Sequence, residues 1–171
     1  MQLEGYSWRV FAGKNPAYDF FPNQAQLFFR GKARGAFWYQ PVFQVLTLDG
    51  RAVWRQRLYR VRRGPAPGTF RLSVLDNGVI SSEYWRVLDV ADDLSWGAFY
   101  YSGAASAAGL SYTGAILTSR TGAWPEGEGA RARIAAALEG AGIKVWELSN
   151  VNWNETAAAG APLQPDSVGR V

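Results

Sequence analysis

Eight short runs, near residues 6–12, 25–31, 36–48, 51–62, 69–75, 84–90, 96–102 and 111–120, are rich in Val, Leu, Ile, Phe, Tyr, Trp and Thr and are separated by turn residues. This punctuation constrains the fold more than any other feature, because side chains of this kind at this spacing suit strands on a half-buried sheet. Asp49-Gly50 falls between two of the runs, and a tight hairpin needs the positive backbone angles that Asp and Gly tolerate. Asp76-Asn77-Gly78 is a second such signal. Eight strands joined mostly by hairpins close most economically into an up-and-down barrel, which removes the unpaired edges of an open sheet. The sequence therefore predicts a mainly β, eight-stranded up-and-down barrel, whose interior is wide enough for one small ligand.

Past the strands the pattern changes. Pro125 and Glu126 open a segment, Glu128 to Leu138, whose Ala, Arg and Leu content favours helix, with Gly140 and Gly142 placed to end it. Ile134 and Leu138, four residues apart, form the expected inward stripe. Ile143–Leu148 reads as a last strand or extended return against the barrel. Ala, Gly and Pro dominate from Glu155 onward, so residues 1–153 are expected to form the barrel with its helix and 154–171 a flexible or partner-bound tail. With 48% hydrophobic and 15% aromatic residues, a chain of 171 can bury a sizeable core as one domain.

Absences narrow the chemistry. Without Cys or His there is no disulfide, thiolate nucleophile, Cys/His zinc site or Ser-His-Asp triad, which leaves carboxylates, tyrosines and a few lysines for acid–base work. No glycine-rich phosphate loop appears, and the adjacent Asp92 and Asp93 are a thin basis for a metal site, so neither a bound cofactor nor a metal is expected. No apolar run approaches the roughly 18 residues of a spanning helix, which predicts a soluble or peripherally attached chain with no transmembrane segment. Neither a secretory leader nor a transit segment precedes Trp8, so any targeting sequence is expected to be missing or removed.

The stretch Asn15-Pro16-Ala17-Tyr18-Asp19-Phe20-Phe21-Pro22-Asn23-Gln24 sets one carboxylate among aromatics and prolines. Desolvation by such neighbours would raise the pKa of Asp19 and keep it a proton donor at mildly acidic pH. The bland alternative is that Asn15 and Asp19 cap a turn. Together with Trp8, the residues Asn15, Pro16, Tyr18, Asp19, Phe21 and Gln24 resemble the start of the lipocalin-like domain of the violaxanthin de-epoxidase family. Further matches follow in the family's order, at Thr47-Leu48-Asp49-Gly50, Asp76-Asn77, Trp85-Arg86-Val87-Leu88, Phe99-Tyr100-Tyr101, Gly103 and Tyr112 to Arg120. The resemblance covers roughly residues 5 to 153.

The resemblance implies a plastid protein, in the thylakoid lumen or on the thylakoid membrane, whose barrel receives a xanthophyll. It also implies a chemistry, epoxide opening by an acid with ascorbate as the reductant, and it places Asp19 at the barrel mouth. Tyr18, Phe20, Gln24, Trp85, Tyr100 and Tyr112 are the expected ligand-contacting residues. In the family an aromatic hydroxyl faces the acid a few residues beyond the Asp-Asn pair, whereas this chain has Gly78-Val79-Ile80-Ser81-Ser82, and Tyr84 substitutes only if the strand register shifts. The family's cysteine-rich domain, the cysteine inside its Asp-containing motif and its glutamate-rich extension have no counterpart here. These departures favour a carotenoid- or lipid-binding module, or an accessory subunit of a photosynthetic membrane complex; the alternative is an active de-epoxidase using Asp19.

Charge adds a second class of partner. Fifteen of eighteen basic residues are Arg, and Arg51, Arg55, Arg57, Arg60, Arg62 and Arg63 crowd one hairpin arm. They suit an acidic protein surface or anionic lipid headgroups better than nucleic acid, for which no motif appears; ordinary solvation of an outward strand face is the alternative. Most of the eight tryptophans are expected in the core, with Trp124 and Trp153 the candidates for exposed anchors.

Overall fold

The computed structural model describes residues 7–15, 21–31, 34–76, 78–105, 110–154 and 160–161. The strands are β1 (Ser7–Lys14), β2 (Ala25–Arg30), β3 (Phe37–Leu46), β4 (Ala52–Gln56), β5 (Tyr59–Arg63), β6 (Thr69–Asp76), β7 (Val79–Val90), β8 (Trp96–Ala105), β9 (Leu110–Ser119) and β10 (Ser149–Asn150). Each of β1 to β9 is antiparallel to its neighbours, and β9 returns to β1, from Arg9↔Ser119 to Lys14↔Ala115. β4 and β5 pair successive halves of β3 in one register, Val42↔Gln56 and Tyr39↔Tyr59, so they act as one wall strand and the barrel has eight. The gap between them falls opposite Pro41, which accepts from the Arg57 N–H at 3.3 Å but has no N–H to return.

Alternation along these strands sorts the side chains. Val10, Tyr39, Tyr59, Val61, Leu72, Trp85, Tyr101 and Ile116 form the buried interior, while the opposite face of the wall around β1, β8 and β9 is covered by helix α1 (Glu128–Gly140). As the sequence predicts, Ile134 and Leu138 are the helix's buried residues; they pack with Phe11, Trp96 and Leu117. The helix closes through Gly142, whose φ of +76° lets its N–H reach the Glu139 carbonyl and that of Ile143 the Leu138 carbonyl.

Two expectations change. β7 starts at Val79 rather than near 84, pairing without interruption from Asp76↔Val79 to Thr69↔Arg86; its Ser81-Ser82-Glu83 stretch carries no β-branched signal and is held in the sheet by both neighbours. Residues 143–148 do not form a strand. Val145–Glu147 is a 3-10 turn, because Glu147 folds back to accept the Lys144 N–H at 2.7 Å and Lys14 Nζ at 2.6 Å; only β10 then pairs with β1. The turn leaves Trp146 82% exposed, whereas Trp124 packs on Phe11 and Trp153 lies under the Arg9 guanidinium, so the exposed tryptophan is not one of the two expected.

A two-pronged ion pair fastens the helix to the wall. Arg133 Nη2 and Nε donate to Asp89 at 2.8 and 3.0 Å, and Nη2 also donates to the Val90 carbonyl. These bonds from Arg133 hold the Asp89 carboxyl below the usual carboxylate range. The partners are 47% and 26% exposed, so solvent screens the pair and Asp89→Asn should cost only about 0.5–1 kcal/mol at neutral pH. Because the folded pKa is depressed, this stabilisation is present above the ordinary Asp pKa and disappears as pH falls through the folded value. Urea midpoints of wild type and Asp89→Asn should therefore differ at neutral pH and converge in strong acid.

Candidate functional site

The barrel is filled at its waist and hollow at both ends. Trp85 stacks on Tyr101 with ring centroids 5.6 Å apart and meets Tyr39 at 5.0 Å, and Tyr39 stacks on Phe28 at 5.0 Å. Offset aromatic contacts of this kind make a rigid layer. On one side lies a cavity of about 430 Å³ at the mouth where β8 turns into β9, bounded by Asn15, Phe21, Phe43, Arg57, Glu83 and Tyr112 among others. On the other side, toward the turns after β2, β5 and β7, lies a second cavity of about 310 Å³.

Polar groups converge in the mouth. Glu83 Oε1 accepts from the Tyr112 hydroxyl at 2.8 Å and Glu83 Oε2 from Trp85 Nε1 at 2.6 Å. Burial, with the Glu83 charge second, pushes the Tyr112 phenol well above its ordinary value, and the same two causes act in the same order on Tyr39. Tyr112 lies across Gly103, its register partner, and a Cβ there would collide with the ring. Gln24 is buried with its amide spent on the Phe21 carbonyl at 2.8 Å. Gln26, 1% exposed and also lining the cavity, has no hydrogen-bond partner for either amide atom among the described residues. An unsatisfied buried amide is costly, and one facing a cavity is free to bond an incoming hydroxyl, ether or carbonyl.

The expected site residues divide accordingly. Gln24 and Tyr112 line the mouth, whereas Trp85 lines the cavity at the other end and reaches the mouth only through its bond to Glu83. Tyr100 faces outward, 5.6 Å beneath the Arg86 guanidinium, since its neighbours Phe99 and Tyr101 take the inward positions. Tyr84 also faces outward: β7 shows no register shift until Val87/Asp89, so Tyr84 cannot meet an acid inside the barrel. Asp19, Tyr18 and Phe20 lie outside the described residues, although Asn15 and Phe21 on either side of that segment line the mouth.

The six arginines do not make one patch. Arg51 pairs with Asp49 at 2.7 Å in the β3–β4 turn, while Arg55 and Arg57 share the inward register of Tyr59, and Arg57 lines the mouth. Arg60 and Arg62 face outward, with Arg62 directly opposite Arg71 on β6. Arg63 returns to the inward register at the other end of the barrel, opposite Phe70. Sequence reasoning missed Glu83, Gln26, Tyr39, Tyr59 and Tyr101. The signal was present for two of these, because Glu83 lies two residues before Trp85 and Tyr101 aligns with it across the strands, so an inward Trp85 carries both inward.

A closed eight-stranded antiparallel barrel with a helix laid on its outer wall and a hollow mouth defines the lipocalin fold. Solved structures agree with that class: this chain is similar to insecticyanin from the tobacco hornworm Manduca sexta (TM-score 0.66, 10% identity, 88% of this chain and 79% of that one). It is similar also to lobster apocrustacyanin A1 (TM-score 0.61, 13% identity, 94% and 80%) and to the siderocalin Ex-FABP (TM-score 0.59, 11% identity, 90% and 96%). No curated protein matches it in sequence. Residues 1–152 match the VDE lipocalin domain, and the chain belongs to that family.

The coupling between Glu83 and Tyr112 is open to titration. Glu83→Gln removes the charge that holds back ionisation, so Tyr112 should ionise at lower pH than in wild type while burial still keeps it above an ordinary phenol. Tyrosinate absorbance against pH, with Tyr112→Phe to assign the transition, measures the shift.

Proposed function

We propose that this barrel binds an oxygenated carotenoid, with the polar end ring in the mouth and the polyene leaving through the opening. The observation that carries the reading is the pairing of a cavity walled largely by aromatic rings with the amide of Gln26, unpartnered among the described residues, which suits a ligand that is mostly hydrocarbon and carries oxygen at its buried end. Membership of the VDE lipocalin family makes a xanthophyll the natural candidate, and a plastid, thylakoid-associated setting belongs to the same proposal, as does docking on a photosynthetic membrane complex. No helix among the described residues is long and apolar enough to cross a membrane.

The second reading is turnover. Opening an epoxide needs a proton delivered to its oxygen, and Glu83 is the carboxyl lining the cavity among the described residues. Both of its oxygens accept hydrogen bonds from groups of the barrel, an arrangement suited to holding a ligand rather than donating to it. Asp19 remains the acid proposed for that reaction, with ascorbate as its co-substrate.

Purified protein incubated with violaxanthin, zeaxanthin and β-carotene should retain the two oxygenated pigments in preference to the hydrocarbon. Gln26→Leu should erase that preference, at a cost of about 0.5–1.5 kcal/mol, or roughly two- to tenfold in affinity for the oxygenated ligands. Retention of no pigment would sink the proposal. In acid with ascorbate no conversion is expected; conversion that vanishes in Asp19→Asn or Glu83→Gln would promote the second reading.

A further inference from the structure

The cavity at the far end of the barrel differs in kind from the mouth. Its wall includes Trp8, Phe28, Phe37, Val61, Phe70 and Val87, and none of its lining residues carries a charge or a free amide or hydroxyl. Of the two indoles in its wall, that of Trp85 has its N–H bonded to Glu83 on the mouth side. A dry apolar cavity of about 150 Å³ is enough to hold a benzene-sized ligand, and this one measures about 310 Å³. Hydrocarbon fits there; a polar headgroup does not, because nothing inside would satisfy it.

The rim supplies what the interior lacks. Arg30 is the register partner of Phe37, and Arg63 of Phe70, so both arginines continue the inward face just past residues that line the cavity. Both are exposed, and no carboxylate among the described residues pairs with either. The described acids at this end sit toward the opposite side of the rim, and two of the three are engaged. Asp89 holds Arg133, Asp93 caps Ser95 by accepting its N–H at 3.0 Å, and the Asp93 and Leu94 carbonyls accept from Arg120. Asp92, exposed in the same turn, is across the barrel from β2 and β5.

We infer that this end of the barrel is a second ligand site, taking a single-chain carboxylate with its tail in the apolar cavity and its head between Arg30 and Arg63. Guanidinium forks match a carboxylate, and a charge-assisted bond at the rim fixes a tail that is otherwise free to slide. The site does not depend on the mouth, since the Trp85–Tyr39–Tyr101 layer separates them.

Calorimetric titration with laurate and with dodecanol tests this directly. Laurate should bind wild type and keep binding when the mouth is saturated with xanthophyll; Arg30→Glu/Arg63→Glu should weaken laurate by roughly tenfold or more while leaving dodecanol within about twofold. Arg55→Glu/Arg57→Glu, at the mouth, should leave laurate within about twofold. The exposed positions of Arg30 and Arg63 keep the fold intact, and an unchanged dodecanol affinity verifies it. Laurate binding lost only in the Arg55/Arg57 variant would place the ligand in the mouth and overturn the inference. So would sedimentation with phosphatidylglycerol vesicles in the absence of any laurate binding, which would make Arg30 and Arg63 part of a membrane-facing surface instead. Failure of xanthophyll binding alone would leave this site standing and remove only the reading of the mouth.

Discussion

A barrel of eight strands must fill its own interior, and this one does so with a single aromatic layer. Trp85, Tyr39 and Tyr101 meet at the waist, and their ring contacts, packed among Val10, Val61, Leu72 and Ile116, fill it. The arrangement leaves both ends hollow. It also sets their characters, because the indole of Trp85 has one polar edge, and that edge bonds Glu83. The mouth thereby receives a carboxylate, phenols and an amide, whereas the far end receives carbon alone.

The outer shell depends on the same closure. Once β9 meets β1, the outer face of that seam is apolar at Phe11, Ala98, Ala115 and Leu117, and it must be covered. The helix Glu128–Gly140 does this with only two fully buried side chains, Ile134 and Leu138, in a sequence that is otherwise Ala, Arg, Gly and Glu. So narrow a contact explains why Arg133 is anchored by Asp89 and its guanidinium lies 5.2 Å over the Trp96 ring. Both contacts fix the angle at which a weakly amphipathic helix lies.

Glycine makes room where rings must cross the wall. Gly97 admits the ring of Trp8 at the far end, and Gly103 admits that of Tyr112 at the mouth; any Cβ would displace them. The two hollow ends are therefore bordered by aromatic residues in positions that a larger neighbour would forbid.

Most of the architecture was legible in the sequence, for a local reason. Period-two alternation, the Asp49-Gly50 and Asp76-Asn77-Gly78 turns and the Ile134/Leu138 spacing each reflect interactions between residues close in the chain, and these gave the barrel, its hairpins and its helix. The site was legible only in part. Alternation says that neighbours face opposite ways but not which way is in, so it does not tell Tyr100 and Tyr84 from Tyr101 and Glu83, which face the cavity. Likewise six arginines close in sequence became a turn residue, a mouth pair, an outward pair and a member of the far rim, because each step along a strand reverses the side chain and β4 and β5 together span the barrel's depth. Strand identity is a local property and survived reading in one dimension. Which face is inward, and which distant residues share an end, follows from sheet closure between β1 and β9, some hundred residues apart, and only the tertiary structure decides it.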